Sequence, residues 1–393
     1  MTAAENQQPI SRYRWAVLFS SLFAFIMYAY ALQSVPPLLI QFQGIFGIDA
    51  TTAGLLMSMA VIPGIILALP AGILIGKYSF RKLGFLATLT VGIGSLIMAL
   101  SSSFPVALLG RFIIGLGGGL LSVGTPSIVP QWFEHKEMGM AMSVFAVGMP
   151  VGTIVAFFTA PILAQVSGWQ SLFYLGAFIS TLSAILFWLI VRDGPSKGDS
   201  TAKLPDAWQA LTNHEVWKVS VVWMLFNMVM IGFLTWAPEL FVTFKGLTPV
   251  YASILSSLVM IANFFFVPLC GWASDKLERR KPFLIAGPIF MALSLYAITY
   301  TSGLSLAVSI IILGASAGGV PPLVMAITAQ TLPPKSADMG FGVFTLWQNV
   351  GILLTAPIVG YVLQTTQSLA STFFCMSIFA FSGAIVALTV HSR

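Results

Sequence analysis

Arg111 is the only basic residue that falls well inside an apolar stretch of this chain, about two helical turns from the nearer end. A guanidinium at that depth in hydrocarbon costs about 2.5–3.5 kcal/mol on insertion scales, so it faces a cavity or a partner. Its planar fork matches a carboxylate or another oxyanion through two parallel hydrogen bonds. That makes Arg111 the first candidate for holding an anion. The competing reading is that it donates to backbone carbonyls and pins neighbouring helices.

No acidic residue lies deep in an apolar stretch to neutralise it. Glu239, in Trp236-Ala-Pro238-Glu239, and Asp49 lie toward the ends of theirs. Each is a candidate for a gate or for coupling to a proton. For Glu239 the sequence favours a solvated carboxylate at the interface, just past a proline expected to bend its helix. All three histidines, His135, His214 and His391, fall in loops or the tail, which weakens any case for proton coupling. The remaining candidates are polar and aromatic: Tyr28, Tyr30 and Gln33 early in the chain, Asn227 and Trp236 past the middle, and Trp347, Gln348 and Asn349 near the end. Some of these must be glue, since buried amides hydrogen-bond between helices.

Catalytic constellations are missing. Gly115-Leu-Gly-Gly-Gly119 contains the start of a dinucleotide fingerprint, but no strand precedes it, so close helix packing accounts for it better. The chain has no G-x-x-x-x-G-K-[ST] and no H-E-x-x-H, and the sequence calls for no enzyme activity, cofactor or metal.

The elements that must position these residues follow from composition. Hydrophobic residues make up 58% and charged residues 8%, with a mean hydropathy of +0.94, far from a soluble globule. Apolar runs of about 20 residues match a bilayer core. Twelve are expected, near 15–35, 51–76, 84–101, 105–130, 138–165, 169–191, 217–241, 250–273, 283–301, 304–330, 339–364 and 369–390. Sixteen of the eighteen Lys and Arg fall on one side of such a topology, with Lys245 opposite and Arg111 within span 4. Cytoplasmic loops retain Lys and Arg, so both termini are expected inside. The net charge of +6 is therefore topology, not nucleic-acid binding. The run after Arg12 and Arg14 is too long for a cleaved signal peptide. Cys270 and Cys375 fall inside spans 8 and 12 and read as small buried apolar residues.

The chain repeats itself. The basic stretch Gly271-Trp-Ala-Ser-Asp275-Lys276-Leu-Glu-Arg279-Arg280-Lys281 has a worn copy, Gly72-Ile-Leu-Ile-Gly76-Lys77-Tyr-Ser-Phe80-Arg81-Lys82, 199 residues earlier. Gly115 through Gly119 is matched at the same offset by Gly314-Ala-Ser-Ala-Gly318. Met-Gly opens spans 5 and 11, and Thr-Ala-Pro-Ile occurs at 159–162 and 355–358. These matches in one order indicate duplication. The polar stretch 192–216 divides a first bundle, 1–191, from a second, 217–393. Toward its end Trp208, Leu211 and Val216, with Trp217 just beyond, suggest a short interfacial helix.

On these residues the chain resembles the major facilitator superfamily over essentially its whole length. Gly271, Asp275, Lys276, Arg279, Arg280 and Lys281 are similar to that family's loop motif G-x-L-A-D-R-x-G-R-R/K, and Arg111, Gly115 and Gly117 to its R-x-x-x-G-x-G. Gly168-Trp169-Gln170 and Phe173 resemble its G-W-R-x-x-F. In the first copy Gly76 stands where the motif has Asp, and Gly148, Pro150 and Gly152 fit the antiporter motif only out of register. The resemblance implies an all-α membrane protein of twelve spans in two pseudo-symmetric six-helix bundles. It also implies that Gly72, Gly76, Lys77, Arg81, Lys82, Gly271, Asp275, Lys276, Arg279 and Arg280 belong to a cytoplasmic gate. Asp275 would brace the start of span 5 near Gly139, and Gly76 would leave the matching contact near Gly340 without a charge.

The expectation is a secondary active or facilitative transporter working by alternating access, with an organic anion as the preferred solute. Alternatives are efflux of lipophilic drugs or metabolites, or a receptor or scaffold that keeps the transporter fold. Its partners would be the solute, the lipid bilayer and a co-transported or exchanged ion, with no nucleic acid. The chain would act as a monomer in a plasma (bacterial inner) membrane.

Overall fold

The computed structural model describes residues 8–68, 70–71, 74, 78–133, 135–194, 212–277, 280–331 and 337–390. Hydrocarbon offers no hydrogen bonds, so a crossing backbone must satisfy itself. The described residues accordingly form helices and no strand, and twelve of the resulting segments are long and apolar enough to cross a membrane.

Span 1 comprises α1 (Gln8–Gln33), a 3-10 turn at Pro36–Leu38 and α2 (Leu39–Phe46). It extends beyond the expected end at 35 because Pro36-Pro37 interrupts the helix without ending the crossing. Span 2 is split likewise into α3 (Ala50–Met59) and α4 (Ile62–Leu67), with Pro63 just past the break. Then come α5 (Phe80–Ala99) and α6 (Phe104–Ser127), a short α7 (Val129–Trp132), α8 (His135–Ala146) running into α9 (Gly148–Ser167), and α10 (Trp169–Ile190). The second set is α11 (His214–Lys245), α12 (Pro249–Lys276), α13 (Lys281–Tyr300), α14 (Gly303–Ala317), α15 (Val320–Thr331), α16 (Ala337–Thr366) and α17 (Leu369–Thr389). Trp217 and Val216, expected in an interfacial helix, form the first turn of α11 itself, and Trp208 lies outside the described residues. Both cysteines are free and only half-buried.

The duplication is visible in the packing. A Cβ placed on Gly115 would lie 2.1 Å from the carbonyl oxygen of Ala60, and one on Gly314 would lie 2.3 Å from that of Val259. Residues 60 and 259 stand at the same 199-residue offset as 115 and 314. One helix-on-helix contact has therefore been kept in both bundles. Small residues let the backbones approach that closely, which is how helices adhere where no hydrophobic effect drives them together.

The bundles meet along an antiparallel seam between span 2 and α16. Gly360 packs on Ala50, Gly54 on Ala356 and Gly64 on the Asn349 carboxamide, while Ser58 Oγ donates to Leu353 O at 2.6 Å. The seam starts at the end opposite the chain termini, here the distal end, and reaches the middle of the spans at Gly64.

Candidate functional site

Arg111 is fully buried on α6, and its partners are backbone. Nε donates to Leu56 O at 2.7 Å, Nη1 to Ala31 O at 2.8 Å and Nη2 to Leu32 O at 3.0 Å, with Met57 Sδ 3.5 Å from Nη2. The reason lies in the helix breaks. Four residues past Leu32 stands Pro36, which has no N–H to offer its carbonyl. Four residues past Leu56 stands Ala60, whose N–H turns to Ser58 O where α3 ends. The guanidinium thus sits at two helix C-termini, where the macrodipole favours a cation. None of these contacts is a carboxylate, so the positive charge is solvated but not neutralised.

The second bundle lacks both features. The position equivalent to 111 is Ile310, fully buried, and α11 and α12 run through 32 and 28 residues without a break. Breaks and arginine occur together.

Tyr28 lies within electrostatic reach of Arg111, and its ring lies so close to Gly118 that a Cβ there would come within 1.8 Å of it. Tyr30 is buried against Gly176. Gln33 is fully enclosed, and neither end of its carboxamide finds a partner among the described residues.

A second cluster centres on Trp223 of α11. Its indole stacks against Phe226 (centroids 5.0 Å, 16°) and Phe344 of α16 (4.7 Å, 14°). The indole N–H donates to Gln348 Oε1 at 2.9 Å, and its backbone carbonyl accepts from Asn227 Nδ2 at 2.8 Å. Asn349, next to Gln348, is half-buried at Gly64 on the seam. Trp347 packs edge-on against Trp217 at 4.9 Å. Trp236 stands apart: it is fully buried, with its N–H given to Ala356 O at 3.1 Å, and ties α11 to α16. Sequence reasoning passed over Trp223 as one more apolar residue. Its placement one turn before Asn227, on the same helix face, was the available signal.

At the distal end two carboxylates each meet an amide from the other bundle. Glu239 Oε2 accepts from Gln43 Nε2 at 2.8 Å, and Asp49 Oδ2 accepts from Gln364 Nε2 at 3.0 Å. Helix α11 continues through Pro238, and Glu239 is 8% exposed, with Gln43 of α2 on its carboxylate. It lines two cavities of ≈ 270 and ≈ 210 Å³, and Asp49 lines the second. Asp49, exposed, caps α3 by accepting from Thr52 N–H at 2.7 Å; this bond, helped by Gln364, holds its carboxyl below the usual range.

The basic loops are partly described. Gly72, Gly76, Lys77, Arg279 and the side chain of Asp275 lie outside the described residues, as do the side chains at 139 and 340. Arg81 is anchored within its own bundle: Nε donates to Trp188 O at 2.8 Å and the guanidinium lies 4.5 Å over that indole. Lys82 is exposed. Lys276 Nζ lies 4.9 Å over Trp272, Gly271 packs on Pro322, and Arg280 occupies the N-cap position of α13 without a side-chain capping bond.

A family model described as Major Facilitator Superfamily matches residues 17–255 and 241–393. Among curated proteins, the probable nitrate transporter NarT of Staphylococcus epidermidis is 24% identical over 347 residues, covering 86% of each chain. The nitrite extrusion protein of Bacillus subtilis is 23% identical, covering 86% of this chain and 84% of that one. The probable galactarate/D-glucarate transporter GudP of Escherichia coli is 24% identical, covering 88% and 83%. Among solved structures, a bacterial homologue of the human lysosomal transporter Spinster, in an inward-facing, unoccupied conformation, superposes with a TM-score of 0.79 at 16% identity, over 97% of this chain and 99% of that one.

Proposed function

Because the chain belongs to the Major Facilitator Superfamily, an integral membrane fold, we propose that it is a secondary transporter of a small anion that works by alternating access. The observation that carries this is Arg111: a positive charge buried between neutral groups, in a chain whose relatives bear the names of nitrate, nitrite and aldarate transporters. A charge left without a counter-ion in a low-dielectric interior projects an attractive potential for an anion into its surroundings. Tyr28 lies within that field, Asn349 supplies a polar group against the other bundle at Gly64, and Gln348 and Asn227 supply more in the Trp223 cluster.

The two moving bodies in this reading are 1–191 and 217–393, joined by 192–216, with both termini cytoplasmic in a bacterial inner membrane and the distal end outside. The antiparallel seam then closes the outer side. Glu239 and Asp49 are the gate groups of that side, and the basic loops with Asp275 form the gate of the other. The anion reading is favoured over export of lipophilic drugs by the names of the relatives and by the sign of the buried charge.

Transport by the purified chain in liposomes tests this. Counterflow of labelled nitrate or D-glucarate is expected, and none of the lipophilic cation tetraphenylphosphonium. Movement of the cation alone would overturn the proposal.

A further inference from the structure

Two carboxamides in the Trp223 cluster have orientations that chemistry fixes. An indole N–H can only donate, so Gln348 must present Oε1 to it. The Gln348 NH2 group is then left pointing away, and makes no bond among the described residues. A backbone carbonyl can only accept, so Asn227 must present Nδ2 to Trp223 O, which leaves Asn227 Oδ1 unbonded in the same way. Neither free group is sealed in the protein: the buried polar atoms that lack partners include those of Gln33 but not these. Trp223 is stacked against both Phe226 and Phe344, so it holds both amides in place.

Resting on the anion reading above, we propose that this wall selects a hydroxylated organic acid over an inorganic oxyanion, with Trp223 as the positioning residue. Gln348 Nε2 offers donors, suited to a carboxylate or hydroxyl oxygen. Asn227 Oδ1 offers an acceptor, suited to a hydroxyl hydrogen. Nitrate and nitrite carry acceptors only, so against them Asn227 Oδ1 would lose water and gain nothing. A polyhydroxy dicarboxylate satisfies both. Sites built to bond a substrate hydroxyl discriminate strongly against analogues that lack it. The inference concerns the wall alone, since Arg111 is enclosed and spent on carbonyls in this conformation.

Calorimetric titration of the purified full chain with D-glucarate, adipate and potassium nitrate tests the idea, because adipate has the same two carboxylates and no hydroxyls. D-Glucarate is expected to bind about tenfold tighter than adipate, a difference of about 1.4 kcal/mol, with nitrate weakest. Asn227→Leu should reduce D-glucarate affinity and bring the two dicarboxylates level. Trp223→Phe keeps the stack but frees Gln348 to turn over, and should narrow the ratio even where stability is normal, which loss of packing alone would not do. Equal binding of adipate and D-glucarate by the wild type, or tightest binding of nitrate, overturns the selectivity and leaves the anion reading standing. An unchanged ratio in Trp223→Phe removes that residue from the argument. Failure of all three anions to bind overturns both.

Discussion

The side-chain amide of Gln43 donates to the carboxylate of Glu239 at 2.8 Å across the boundary between the two bundles. Replacing Gln43 with Leu leaves a buried carboxylate without its donor, a loss of roughly 1–3 kcal/mol from the closed distal end. Gln367→Cys, in a background lacking Cys270 and Cys375, places a reporter beside the same cavity. Its labelling by a membrane-impermeant maleimide is expected to rise in Gln43→Leu. Unchanged labelling would mean that the amide does not help hold the bundles together.

Arg111 serves two ends at once, and two substitutions separate them. Arg111→Lys keeps a charge but cannot reach three carbonyls on two helix ends, so thermal stability should fall while stabilisation by added anion persists. Arg111→Gln should lose both, because burial of unpaired carbonyls costs roughly 1–3 kcal/mol each and the potential is gone. Thermal melts with and without D-glucarate or nitrate check this. Undiminished anion stabilisation in Arg111→Gln would falsify the electrostatic role.

Asp49 sets a pH dependence. Its carboxyl is held below the usual range by the Thr52 N–H, then by Thr52 and Gln364 side-chain bonds. A folded value below the unfolded one means the contribution is complete above the ordinary aspartate value of about 3.9. It is lost as pH falls through the lower folded value. Melting temperatures from about pH 6 to pH 3 should therefore converge for wild type and Asp49→Asn at the acid end. Parallel curves throughout would rule the cap out as a source of the difference.

The duplicated glycine contact predicts paired sensitivity. Gly115→Ala and Gly314→Ala each push a methyl against a backbone carbonyl, which cannot swing aside as a side chain can. Each should cost roughly 1–3 kcal/mol, typical of overpacking. Gly44, inside α2, has nothing within 4 Å, so Gly44→Ala should be neutral or stabilise by up to about 1 kcal/mol. Equal melting temperatures for Gly44→Ala and Gly115→Ala would contradict the packing.

Crossings were legible because a bilayer demands long apolar runs, and the repeat was legible because the glycines of its helix contacts are side-chain identities. Arg111 could be seen as a buried charge, whereas its partners could not, since a carbonyl has no letter of its own. Only Pro36 hinted at them, by withholding an N–H from Leu32. Glu239 looked solvated from its position six residues before the end of α11, and only the fold shows it buried with Gln43 of α2 on its carboxylate. Trp223 was hidden because a tryptophan that orients two amides has the same composition as one that fills a gap.

Ala31, Leu32 and Leu56 all precede Arg111 in the chain. A ribosome delivering this protein to the membrane has made every acceptor of that guanidinium before the guanidinium itself emerges. Span 4 can leave the translocon against partners already in the bilayer, and no residue of the second bundle is needed to shelter its charge. The second bundle, with Ile310 at the matching place, inserts without such a requirement. The order of synthesis and the asymmetry between the repeats are thus matched: the bundle that must bury a cation is assembled from helices whose broken ends are waiting for it.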